Sequence, residues 1–168
     1  MNGDHEWGAA LAEAVRLREQ GQPEQARERL LELAEEYPRS AEVAYQTAWV
    51  HDVLGLEAGA VPFYERALSV PGLAGEDRHG VFLGLGSTYR ILGRYEEALR
   101  TLRRGLDEFP DDAALQAFLA MALYNTGDSR EAVGTLLRVL ASSSADRRVR
   151  EYRRAIEHYA DDLDAVEQ

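Results

Sequence analysis

Four glycines stand at nearly equal intervals along this chain, each closing an apolar run of helical period: Gly21, Gly55, Gly93 and Gly127. Five residues after each comes an alanine, at Ala26, Ala60, Ala98 and Ala132. The glycine intervals are 34, 38 and 34 residues, and the four extra residues fall within Pro71–Asp77, which reads as a loop. A period of this length marks stacked supersecondary units, none of which can bury its apolar face alone. It sets the units at 7–40, 41–74, 79–112 and 113–146, within a single array spanning 1–168.

Each unit holds two apolar patterns of helical period around a short polar break, so the expected fold class is all-α. Glycine at the break permits the left-handed turn that ends a helix, and alanine at the crossing lets two helices approach. Ser40 is placed to cap the helix after it, and Asp128 with Glu131 has the form of a capping box. Pro62 falls about a turn inside a helix, at the cost of one backbone bond or a slight kink. Val149, Tyr152, Ile156 and Tyr159 share the spacing of one helical face, so 147–160 is expected to be one capping helix. The residues 161–168 read as an acidic tail.

The period and its residues resemble the tetratricopeptide repeat. The third unit carries the fullest pattern, with Phe82, Leu85, Gly86, Tyr89, Gly93, Tyr95, Ala98, Leu102 and Pro110 at the signature places. The fourth has Ser144 where proline would fall. The likeness covers about four-fifths of the chain, and stretches such as GLGSTYRILGRYEEAL (84–99) are similar to small stand-alone bacterial members. It implies a right-handed superhelical array of about four helix-turn-helix units plus a C-terminal capping helix, acting as a non-catalytic module that binds protein or peptide. The absence of lysine beside abundant Ala, Arg and Leu also suits a bacterial source rich in GC.

Charge and composition narrow the partners. The formal charge is −11 and all 19 cations are arginine, so nucleic acid and anionic membranes are repelled on average and neither is expected as a partner. There is no cysteine, which excludes disulfides and thiolate zinc sites. The opening MNGDHEWGAAL lacks the basic start and apolar core of a secretory signal, so the expected compartment is the cytoplasm. His5, His51, His79 and His158 have no spacing that puts two ligands on one helical face. Gly84–Thr88 is glycine-rich without the lysine of a phosphate loop. No catalytic residue, metal or cofactor is therefore expected. The run Arg147, Arg148, Arg150, Arg153 and Arg154 is the one basic patch. It suits pairing with nearby acids or self-association, and less well contact with nucleic-acid machinery.

In the resembled family the first helix of each hairpin lines a concave groove that holds ligands. Carried over, this implies a partner-binding groove of Tyr45, Gln46, Trp49 and Asp52 from the second unit, and Gly80, Leu83, Gly84, Ser87 and Arg90 from the third. The fourth unit adds Phe118, Met121 and Tyr124. The aromatics read either as binding anchors or as packing between helices. Gly80 and Gly84 lie one turn apart inside a helix at a cost of about 0.8–1 kcal/mol each. Either a neighbour approaches closely there or the groove floor stays bare, and on the second reading Gly84→Leu should abolish partner capture with helicity intact. A grip on a terminal carboxylate is excluded, because the corresponding places hold Leu11, Val15, Gln46, Gly80 and Gly84. A self-associating structural unit, forming a homodimer through an end face, is the alternative reading.

Overall fold

The structure, a computed structural model, describes residues 3–73 and 75–166, with side chains from 7 onward. The His5 side chain and the last two residues of the acidic tail lie outside that description. Among the described residues there are ten helices and no strand. They are α1 (Gly3–Glu19), α2 (Pro23–Glu36), α3 (Ala41–Val53), α4 (Glu57–Ser69), α5 (Gly75–Ile91), α6 (Tyr95–Glu108), α7 (Ala113–Thr126), α8 (Ser129–Ser143), α9 (Arg147–Glu151) and α10 (Arg153–Asp161). The chain divides into two compact units, Met1–Leu92 and Gly93–Gln168.

The repeat glycines do what their spacing requires. Gly21, Gly55, Gly93 and Gly127 all have positive φ, between 68° and 94°, in the left-handed region that a side chain disfavours. The four matching alanines are all buried. Helix starts are less uniform. Ser40 Oγ accepts a 3.3 Å bond from Val43 N, as its position predicts. Asp128, however, makes no cap bond, because its Oδ2 accepts from Thr126 Oγ1 at 2.9 Å instead. Asp112 is the capping carboxylate of that hairpin, accepting from Leu115 N at 2.7 Å. Pro62 lies inside α4, on its exposed side.

In the first unit α1 pairs with α2 and α3 with α4, while α3 adjoins both α1 and α5. Two apolar clusters hold the α1–α3 layers together. One gathers Ala14, Ala26, Leu30 and Val50, the other Leu33, Ala34 and Val43. His51 is buried against Phe63, with ring centroids 5.3 Å apart. Its Nδ1 lies 2.6 Å from Thr47 O and its Nε2 accepts from Arg27 Nε at 3.1 Å, which assigns the proton to Nδ1. The expected loop at 71–77 is shorter than its composition suggests. Gly75, Glu76 and Asp77 belong to the first turn of α5, where the helix dipole favours acidic side chains.

In the second unit α6 packs on α7, α7 on α8, and α10 on α8. The expected single helix over 147–160 is instead two short ones. Tyr152 breaks it at φ −96°, ψ 7°, and Asp146 caps α9 through Arg148 N and Val149 N. The face that α10 turns to α8 also differs from the expected stripe: Ala160 is buried, whereas Tyr152 and Tyr159 are exposed. Gly134 sets how closely the two helices meet. A Cβ there would lie 2.6 Å from Ala160 O, so only a bare backbone on α8 admits α10 this closely. The acidic tail is tied back as well, since Arg138 pairs with Asp161 at 3.8 Å and Arg130 pairs with Asp162 and Asp164. Within the arginine run, Arg147 pairs with Glu151 at 2.9 Å and Arg153 with Glu157 at 2.7 Å.

Candidate partner-binding faces

The first-unit candidates fall on α3 and α5, and the residues around them form one connected arrangement. Trp49 is 41% exposed on α3. Its ring stacks on Tyr45 at 5.7 Å, and the Arg18 guanidinium of α1 lies 3.7 Å from its centroid. Arg18 also donates to Gln46 Oε1 at 2.6 Å. A guanidinium over an indole face contributes about 0.5–2 kcal/mol, more as it is desolvated, and Arg18 is buried. Burial accordingly pushes its pKa down, partly countered by Glu19. The indole is thus held by two neighbouring side chains.

One turn further along α3, Asp52 accepts from Tyr64 Oη at 2.7 Å and from Thr88 Oγ1 at 3.1 Å. Burial raises the Asp52 pKa while these two bonds oppose the rise. The Tyr64 hydroxyl is pushed up by burial and by the adjacent Asp52 charge. The carboxylate therefore ties α3, α4 and α5 together at one point.

Gly80 and Gly84 resolve in favour of close approach. A Cβ on Gly80 would stand 2.9 Å from Tyr45 Cζ and nearer still to its hydroxyl. A Cβ on Gly84 would stand 2.9 Å from Tyr64 Cε1 and nearer to the hydroxyl end. The floor is not bare: two tyrosine rings lie on it. Burying an aromatic ring is worth about 1.5–3 kcal/mol, which exceeds the 0.8–1 kcal/mol that glycine costs in a helix. Gly84→Leu is consequently a packing mutation, and it does not probe a partner. Tyr45 and Tyr64 are buried, Leu83, Ser87 and Arg90 are half-buried, and Arg90 Nε has no hydrogen-bond partner among the described residues.

The candidates of the second unit all lie on α7. Phe118 is half-buried, Met121 is 42% exposed and Tyr124 is 68% exposed. They leave one edge of that helix apolar and open.

Between them, two cavities of the first unit draw on Leu11, Val15 and Gln46, which the family resemblance places at ligand-facing positions, and on residues it does not. One, of about 380 Å³, is walled by Trp7, Leu11 and Val15 of α1 and edged by Glu42, Gln46 and Asp77. The other, of about 490 Å³, adjoins it through Trp7 and Glu42 and opens toward the turns at Tyr37–Ser40 and Pro71–Gly72. Asp77 was illegible as a lining residue because its segment reads as loop. Tyr64 and Thr88 were missed because their places in the repeat mark them as core. Among the described residues no group of side chains could hold a metal ion. No helix among them is long and apolar enough to cross a membrane.

Comparison with known proteins places this geometry. A family model described as Tetratrico peptide repeat matches residues 41–163, and a second, Tetratricopeptide repeat, matches residues 14–40. The chain belongs to the tetratricopeptide repeat family. Among solved structures, the crystal structure of MamA protein is similar at a TM-score of 0.71 and 18% identity, covering 95% of this chain and 78% of that one. YrrB, described as a TPR protein with an unusual peptide-binding site, is similar at a TM-score of 0.64 and 19% identity, covering 92% of this chain and 84% of that one. At such identities the likeness shows the tetratricopeptide fold alone. The aspartyl/asparaginyl beta-hydroxylase of Homo sapiens is 27% identical over 145 residues. That span is 82% of this chain and 19% of the hydroxylase, so the chain spans about a fifth of that curated relative.

Proposed function

We propose that this tetratricopeptide chain is a non-catalytic, cytoplasmic interaction module that holds a peptide or helix of a partner protein. The observation that carries the reading is Trp49. An indole left 41% open, yet fixed by Tyr45 beneath and by Arg18 over its face, is a preorganised contact residue. Preorganised aromatics lose little entropy on binding and dominate interface energetics. The binding face of the first unit comprises Gln46, Trp49, Asp52, Leu83, Ser87 and Arg90, with Tyr45, Gly80 and Gly84 as its support. Phe118, Met121 and Tyr124 give the second unit a face of its own. The peptide-binding site named for YrrB supports this reading by analogy of fold. The hydroxylase match brings no reaction with it, because no constellation here proposes one.

Pulldown with the wild-type chain and with Trp49→Ala, scored by mass spectrometry, tests the reading. Trp49→Ala should lose at least tenfold of the specific capture while far-UV circular dichroism stays helical. Equal capture by the two proteins would remove Trp49 and this face from the binding surface.

One observation favours self-association as a second reading. Val133, Leu136 and Leu140 form an exposed apolar stripe along α8. Sedimentation across a concentration range would show a dimer if that stripe pairs with a second copy.

A further inference from the structure

We propose that the smaller cavity of the first unit receives a basic side chain, arginine before lysine, from an extended partner peptide. The proposal deepens the interaction reading and rests on it. Its walls fit the two halves of such a side chain. Trp7, Leu11 and Val15 offer apolar surface for a methylene stem, and Glu42 and Asp77 place two carboxylates on the edge for its charged head. The volume, about 380 Å³, accommodates one long side chain with room for its backbone.

Both carboxylates stand in the first turn of a helix, Glu42 in α3 and Asp77 in α5. The helix dipole alone accounts for their being acidic. What points to a cation is the apolar recess behind the two carboxylates. Among the described residues no cationic side chain lines this cavity, although Arg39 lines the adjoining one together with Glu42. The two arginines at the end of α1 are engaged elsewhere, Arg16 with Glu13 and Arg18 with Gln46 and Trp49. Around it, residues 1–92 carry eight arginines against fifteen carboxylates, so the surrounding field attracts a basic segment. Arginine is preferred because a guanidinium can stack on Trp7 while it bonds a carboxylate, which an ammonium cannot do as well. The adjoining cavity, reached past Trp7 and Glu42, gives a flanking residue of the same peptide a place to sit.

The test uses the full chain and a randomised octapeptide library displayed on phage. Selection should enrich peptides bearing arginine or lysine beside apolar residues. Replacing the arginine of an enriched peptide by citrulline, which keeps the shape and removes the charge, should weaken binding at least tenfold. Glu42→Gln with Asp77→Asn should weaken the arginine peptide comparably, since both side chains are exposed. Should that double variant lose helicity, the citrulline comparison on the wild type decides by itself. Enriched peptides without basic residues, or citrulline binding as well as arginine, would overturn the cation pocket and leave the interaction reading standing. Failure to enrich any peptide would overturn both.

Discussion

At Gly80 and Gly84 a missing Cβ is the structural requirement, because Tyr45 and Tyr64 occupy the space where it would be. The same residue-level logic governs His51. With Nδ1–H directed at Thr47 O and Nε2 accepting from Arg27, a second proton would set a donor against a donor. Burial, and then the Arg27 charge, lower its pKa below the ordinary 6.5, although the Thr47 bond opposes this. The unfolded chain therefore binds the proton first. The stability His51 contributes is fully present above about 6.5 and is lost as pH falls through its lower folded value. Urea midpoints should hold steady near neutrality and decline below about pH 6.5, and His51→Gln should flatten that decline. A His51→Gln midpoint that falls as steeply as the wild type's would contradict the assignment. Asp52 acts in the opposite sense, since its folded pKa is raised: its contribution is present at low pH and lost as pH rises.

Helix ends carry the next scale. Asp112 and Asp128 look equivalent in sequence, each an aspartate just before a helix, yet only Asp112 bonds the backbone of the helix that follows. Asp112→Ala should cost about 1 kcal/mol, within the usual range for a lost cap. Asp128→Ala should cost clearly less, because it removes only a bond to the Thr126 hydroxyl. Parallel denaturation of the two variants checks the contrast, and equal losses would show that the cap assignment fails. The C-terminal segment belongs at this scale too. Amphipathic spacing identified it as helical, but of the expected stripe only Val149 and Ile156 are part-buried, and the close approach to α8 falls at Ala160, opposite Gly134.

For the whole molecule, a formal charge of −11 with one arginine-rich run sets what it repels. Two of the run's arginines are paired with carboxylates a turn away, which reduces the charge presented locally. Duplex DNA at about 0.15 M salt should therefore show no measurable binding in fluorescence anisotropy. Retained DNA binding that weakens steeply with salt would instead restore the arginine run as a functional patch.

The period of glycine and alanine was enough to specify helical hairpins, since a left-handed turn and a close crossing each admit few residue types, and both are present at every repeat. Local chemistry also marked Ser40 as a cap, and the family resemblance marked Trp49 as a candidate contact. What the linear order could not convey was which ring lies over which glycine, or that Asp52 joins three helices. Those pairings bridge up to 36 residues along the chain, and side chains so far apart meet only once the helices have packed. The Trp7 recess, bounded by residues from α1, α3 and α5, likewise exists only after packing.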